Sequence, residues 1–125
     1  MGELYVVEIE PEVRYWLANL SPQHYRQVEE KAELLAERPT ALGEPHSRYL
    51  GEGVRELRLS LSGNAVRISY WIAPGQRIVL LTVFRKTKMR EDAEVKRARQ
   101  AKQVCEAEHP PAHDTYSRDA YEEER

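Results

Sequence analysis

Residues 53–88 read GVRELRLSLSGNAVRISYWIAPGQRIVLLTVFRKTK, and the fold turns on this stretch. It holds three β-prone runs, Val54 to Leu61, Ala65 to Ile72 and Arg77 to Phe84. Turn signals at Gly63-Asn64 and Pro74-Gly75 separate them. Gly-Asn between alternating runs predicts a hairpin, because both residues tolerate positive φ. In the first run Leu57, Leu59 and Leu61 share one face, and Glu56, Arg58 and Ser60 share the other. In the second, Val66, Ile68, Tyr70 and Ile72 lie opposite Arg67 and Ser69. A two-residue turn at Gly63-Asn64 predicts the pairs Leu61–Val66, Leu59–Ile68 and Leu57–Tyr70. Arg67 then faces Ser60, with Arg58 one diagonal step away. A one-residue slip would send a whole apolar set to solvent.

The third run, IVLLTVF, is apolar on both faces, which predicts a central or well-covered strand. It discharges into the basic cluster Phe84-Arg85-Lys86-Thr87-Lys88. With the second turn at Pro74-Gly75, Thr82 is expected opposite Arg67, and Lys86 just past the strand end on the same side. The sheet would then gather Arg58, Arg67 and Lys86 around one patch, with Arg55, Arg85 and Lys88 as further candidates.

Outward from the meander, Leu4 to Ile9 reads as a first strand, ended by Pro11. Glu12 to Leu20 places Val13, Trp16, Leu17 and Leu20 on one helical stripe. Ser21-Pro22 is an N-cap followed by a helix-opening proline, so a second helix is expected from Pro22 to Glu37. The two helices form a hairpin that must cover the sheet face carrying Leu57, Leu59, Ile68 and Tyr70. Residues 39–53 read as a loop, tacked down by Leu42, Tyr49 and Leu50. Met89 to Glu108 reads as a basic helix with a weak apolar stripe. Two readings stay open for it, partial docking on the sheet or docking on a partner. Residues 109–125 are polar and acidic, start at His109-Pro110-Pro111, and are expected to form a disordered tail.

The order is strand, helical hairpin, three-stranded meander, helix. The expected class is α+β: a small antiparallel sheet of the N-terminal strand plus the meander, packed by the helical hairpin, with a C-terminal helix. At 125 residues, one domain over residues 1–108 is expected. No apolar run is long enough to span a bilayer, and the N-terminus lacks a signal-peptide pattern. The one cysteine, Cys105, excludes an internal disulfide and any multi-cysteine zinc site. These points favour the cytoplasm and no membrane. Charge is uneven beneath a net −2. Residues 1–47 carry 4 Lys/Arg against 9 Asp/Glu, residues 48–102 carry 13 against 5, and residues 103–125 carry 2 against 7. The central basic block suits a polyanion such as RNA or an acidic partner, and equally a solvated face balanced by the acidic ends.

The motifs Glu56-Leu57-Arg58, Val66-Arg67-Ile68-Ser69-Tyr70 and Leu80 to Lys88, in this order and spacing, resemble the HigB-like, phage-derived branch of the RelE/ParE toxin superfamily. The resemblance spans about residues 4–103. It implies an endoribonuclease that cuts mRNA on the ribosome and is neutralised by a helix-turn-helix antitoxin in a hetero-oligomeric complex. It implies Arg67 as the phosphate clamp, Arg58 as the basic residue on the preceding strand, and Lys86 as the basic residue at the strand end. Cleavage by 2′-OH attack gathers negative charge on phosphate oxygens, which guanidinium forks stabilise better than ammonium groups do. Lys86 or Lys88, crowded by arginines, would move the proton. The scheme needs no metal or other cofactor. Arg55, Arg85, Lys88, Phe84 and His46 are the remaining candidates for RNA contact. Some members of that branch use a histidine, aspartate or tyrosine near the C-terminal end, whereas here no tyrosine or histidine follows Phe84 before His109.

Each candidate has a plainer role. Arg58 and Arg67 would pair with Glu56, Phe84 and Trp71 would pack, and His24 would sit on a helix surface. Cys105 lacks a local base and is not expected to be a nucleophile. A module that kept the fold and acts only through a partner protein is the alternative from another class.

Overall fold

A computed structural model describes residues 5–108. The expected tail and residues 1–4 lie outside them. Eight elements follow in order: β1 (Val6–Ile9), α1 (Pro11–Ala18), α2 (Pro22–Glu37), β2 (Ser47–Gly51), β3 (Val54–Leu61), β4 (Asn64–Ala73), β5 (Arg77–Arg85) and α3 (Asp92–Glu108). The strands form one sheet in the order β1-β5-β4-β3-β2. The α+β class holds, with two additions. β1 joins β5 in parallel, so the sheet is mixed rather than wholly antiparallel. Part of the expected loop is a fifth strand, β2, antiparallel to β3.

Local chemistry explains the helix ends. Proline opens α1 and α2 at the first turn, where its missing N–H costs nothing. The Ser21 hydroxyl accepts from the His24 N–H at 3.2 Å and caps α2. The β2–β3 and β3–β4 turns each end on a positive-φ pair with glycine second, Glu52-Gly53 at 55° and 82° and Ser62-Gly63 at 51° and 84°, while the β4–β5 turn has glycine first, Gly75-Gln76 at 85° and 59°. A two-residue turn with both residues at positive φ matches the twist of paired strands.

That geometry corrects the register. The β3–β4 turn is Ser62-Gly63 rather than Gly63-Asn64, and Leu61 pairs with Asn64. Leu59 therefore meets Val66, Leu57 meets Ile68, and Arg58 lies directly opposite Arg67 in place of Ser60. The shift is two residues, so every side chain keeps its expected face. A three-residue turn, with Ala73 opposite Arg77, and a bulge between Ser69 and Tyr70 together change the next ladder: Thr82 pairs with Ser69, and Arg67 pairs with Phe84.

Helices cover both faces. α1 and α2 close over Leu57, Leu59, Ile68, Tyr70, Ile78 and Leu80, with Val13, Val28 and Leu35 filling the layer between. α3 covers the other face through Cys105 and Ala101 against Trp71, Val79 and Leu81. The double burial of β5 anticipated from its sequence is thereby met: it lies between β1 and β4 with a helix layer on each side. No helix among the described residues is long and apolar enough to cross a membrane.

Candidate functional site

Only part of the α3-side face lies under α3. Beside its N-terminal turn two rows of side chains cross the sheet, most of them buried. One row runs Arg48 on β2, Glu56 on β3, Ser69 on β4 and Thr82 on β5. The next runs Arg58, Arg67 and Phe84 on β3, β4 and β5. A depression of about 270 Å³ opens here, lined among others by Arg48, Glu56, Phe84, Lys86 and Val95.

Glu56 organises the cluster. Its Oε2 lies 3.7 Å from Arg58 Nε and 3.7 Å from Arg67 Nε, and the residue is only 7% exposed. Arg67 is 8% exposed, and its Nη1 donates to the Val66 carbonyl at 3.1 Å. Its Nε has no hydrogen-bond partner among the described residues. Burial lowers the Arg67 pKa, the charges of Arg58 and Arg48 lower it further, and Glu56 opposes them. A guanidinium does not release its proton in a protein, so Arg67 stays a cation held among like charges where water reaches it poorly. Three arginines face one carboxylate in this cluster. Two guanidinium groups on adjacent strands thus share one carboxylate, Glu56, between them.

Lys86 extends the β4–β5 ladder, its N–H donating to the Ala65 carbonyl at 2.8 Å. Its ammonium donates to the carbonyls of Lys88 and Met89. The loop that supplies these carbonyls is pinned by Glu91. One carboxylate oxygen of Glu91 accepts from the N–H groups of Thr87 (2.9 Å) and Lys88 (2.8 Å). Those bonds, Lys88's first, hold the Glu91 carboxyl below its usual range. A cation thus stands at the rim of the depression, oriented by two backbone carbonyls.

The other sequence candidates divide. Phe84 stands beside Arg67 as its partner across the ladder. Arg55 is excluded from the patch, because its odd position turns it to the opposite face. There its Nε donates to Ser47 Oγ at 3.3 Å, and its guanidinium lies 5.7 Å from the centre of the Tyr49 ring. Arg85 likewise lies one residue out of phase with Phe84 and borders a depression on the α1–α2 side. His46 turns to α2, with Nδ1 3.0 Å from Lys31 Nζ. Lys88 contributes backbone to the loop. Burial pushes the Cys105 thiol up to about 11, which suits its packing role. Among the described residues no group of three or more His, Cys, Asp or Glu side chains is placed to hold a metal ion.

One member of the cluster escaped the sequence reading, and another, Glu56, pairs with Arg58 and Arg67 as the plainer reading expected. Arg48 was hidden because its segment reads as loop. Glu56 was visible only as a plain salt-bridge partner, and its place between two arginines depends on the two-residue register shift.

The architecture is that of RelE toxins. A free-state double mutant of Escherichia coli RelE superimposes with a TM-score of 0.58 at 15% identity, over 80% of this chain and 98% of that one. The isolated E. coli RelE toxin gives 0.52 at 16%, over 74% and 97%. A chain of the RelBE2 toxin–antitoxin complex from Mycobacterium tuberculosis gives 0.51 at 27%, over 67% and 100%. Residues 15–104 match the family described as phage derived protein Gp49-like, and the chain belongs to that family. No curated protein matches it by sequence.

Proposed function

We propose that this chain is the toxin of a type II toxin–antitoxin pair of the HigB kind, a cytoplasmic endoribonuclease that cuts mRNA, with the ribosome presenting the message. Its partner would be a helix-turn-helix antitoxin that neutralises it in a hetero-oligomeric complex. The observation that carries the reading is the Arg58–Glu56–Arg67 cluster, whose Glu56 lines a depression together with Lys86 and Phe84. The 27% identity to a chain of a toxin–antitoxin complex supports the pairing with an antitoxin.

In this scheme Arg67 and Arg58 hold the scissile phosphate and stabilise the charge that grows on its non-bridging oxygens. Glu56, the carboxylate within the cluster, takes the proton of the attacking 2′-OH. The O2′–P bond forms as the P–O5′ bond breaks, and Lys86 gives its proton to the leaving 5′-oxygen. The products are a 2′,3′-cyclic phosphate and a 5′-hydroxyl. The Lys86 ammonium, held by two carbonyls, takes the acid role of the two proton-moving roles open to it. Phe84, beside Arg67, offers a ring to a flanking base.

Primer extension on mRNA from cells briefly induced for this chain tests the reading. Discrete new cuts are expected, and Arg67→Ala should lower their yield by roughly 10²–10³, the usual loss for one donor to a developing oxyanion. Undiminished cutting in the variant would remove Arg67 from the site. A message left intact by the parent would favour the partner-binding module, a reading supported by the fact that Glu56 already occupies both arginines.

A further inference from the structure

On the reverse face, against the same stretch of β4 and β5, lies a second depression of about 390 Å³. Trp16 of α1, His24 of α2, Asn64 and Val66 of β4, and Phe84 and Arg85 of β5 border it. Its base is apolar, formed by Val66, Val83 and Leu61. Trp16 is half-buried, while Asn64 and Arg85 are exposed at the mouth. The His24 ring is held by Ser62 Oγ at 2.8 Å from Nε2. None of these groups is used in the cleavage scheme apart from Phe84, which borders both depressions.

We infer that this pocket takes one unpaired nucleobase of the RNA whose phosphate sits at Arg58 and Arg67. The inference rests on the proposed ribonuclease reading and adds a base-reading site to it. Three observations point to a base. First, the two depressions share Phe84: Arg67 pairs with Phe84 on one face, and the next pair, Val66 with Arg85, borders the other. β1 pairs with β5 only as far as Leu80, so no strand blocks the edge near Arg85. Second, an indole, a guanidinium and an apolar base are the groups that stack a flat π system, whatever its identity. Third, an amide and an imidazole at the mouth can meet the hydrogen-bonding edge of a base and so discriminate among bases. Charge agrees, since Arg85 and Lys86 are consecutive and attract the phosphates on either side of the turn.

The pocket therefore sets base preference next to the cut, while the patch on the other face performs the chemistry. The test is transcriptome-wide mapping of new 5′-hydroxyl ends in cells induced for the parent, Trp16→Leu and Asn64→Ala. Loss of one stacked base is worth roughly 5- to 150-fold in binding, so Trp16→Leu should cut less by an amount in that range. Asn64→Ala lies outside the core and reports even if the tryptophan variant fails to accumulate. Its cuts should persist with a relaxed preference at one fixed position beside the cleaved bond. Cuts of unchanged yield and unchanged flanking sequence in both variants would overturn the pocket while leaving the ribonuclease intact. Trp16→Leu cutting normally but escaping its neutralising partner would assign the pocket to a protein side chain and overturn the inference equally. A parent that generates no new ends removes the ribonuclease reading itself, and the base pocket with it.

Discussion

Glu56 is a carboxylate at 3.7 Å from two guanidinium groups and nearly closed to solvent. Its charge has two tasks at once, structural and chemical. Without it, Arg58, Arg67 and Arg48 repel one another across a region where water screens poorly. Glu56→Gln should therefore cost about 1–3 kcal/mol of stability, the range for a buried polar partner lost from charged neighbours. The same space then suits an anion. Millimolar phosphate should raise the melting temperature of Glu56→Gln more than that of the parent, because only the variant offers two unengaged forks to the native state. Equal phosphate shifts in thermal melts of the two proteins would mean that the cluster is not an anion site.

The outer edge of β5 needs a device of its own. β1 ends its pairing at Leu80, which leaves Val83 with an N–H and a C=O facing outward. Glu12 of α1 and Arg97 of α3 supply the missing strand. The Glu12 carboxylate accepts from Val83 N–H at 2.9 Å, and Arg97 Nη2 donates to the Val83 carbonyl at 3.3 Å. The two side chains are joined to each other at 2.5 Å, so one clip caps a sheet edge and ties helices from both faces to it. Burial alone would raise the Glu12 pKa. The Arg97 hydrogen bond, the Val83 N–H and the Arg97 charge outweigh it and leave the carboxyl below its ordinary 4.5. A carboxyl lowered by folding stabilises the native state above its unfolded pKa, and that contribution fades as pH falls through the lowered value. Glu12→Gln should cost about 0.2–1 kcal/mol at neutral pH, the scale of a half-exposed ion pair. The gap between variant and parent in urea melts should close on acidification below 4.5. A gap that stays constant down to acid pH would show that the Glu12 charge contributes nothing. Legibility divides at this scale too. The α2 boundaries, the strand faces and the double burial of β5 follow from capping and alternation, which are local. The clip joins residues 12, 83 and 97, and β2 is held by polar contacts whose partners lie elsewhere, the Ser47 hydroxyl with the Tyr70 hydroxyl and the Leu50 carbonyl accepting from Arg99. Pairings so distant in sequence leave no periodic trace. The exact turn was ambiguous because Ser-Gly and Gly-Asn both reach positive φ, and only the preference for glycine at the second position separates them.

Over the whole molecule the two helical layers are unequal. The α1–α2 layer closes over a broad apolar face with fully buried Val13, Leu35, Leu57 and Ile68. α3 buries only Ala98 and Cys105, which is the weak stripe its sequence showed, and its hold is largely polar. Arg99 donates to the Leu50 carbonyl, Lys102 stands 5.0 Å from the centre of the Trp71 ring, and Arg97 joins Glu12. Such contacts are individually small and easily exchanged for water. α3 should therefore open without the sheet. In native-state hydrogen exchange, the amides of residues 98–105 should exchange through an opening of distinctly lower free energy than those of Leu57, Ile68 and Leu80. Arg99→Ala should lower the α3 value further while leaving the sheet's unchanged. Its guanidinium touches β2 but no residue of the α1–α2 layer. The N-terminal part of α3 lines the depression beside Glu56 and Lys86 through Asp92 and Val95, so the same opening would widen it. One common exchange free energy for α3 and the sheet would instead make the molecule a single cooperative unit, with its site fixed at the width seen here.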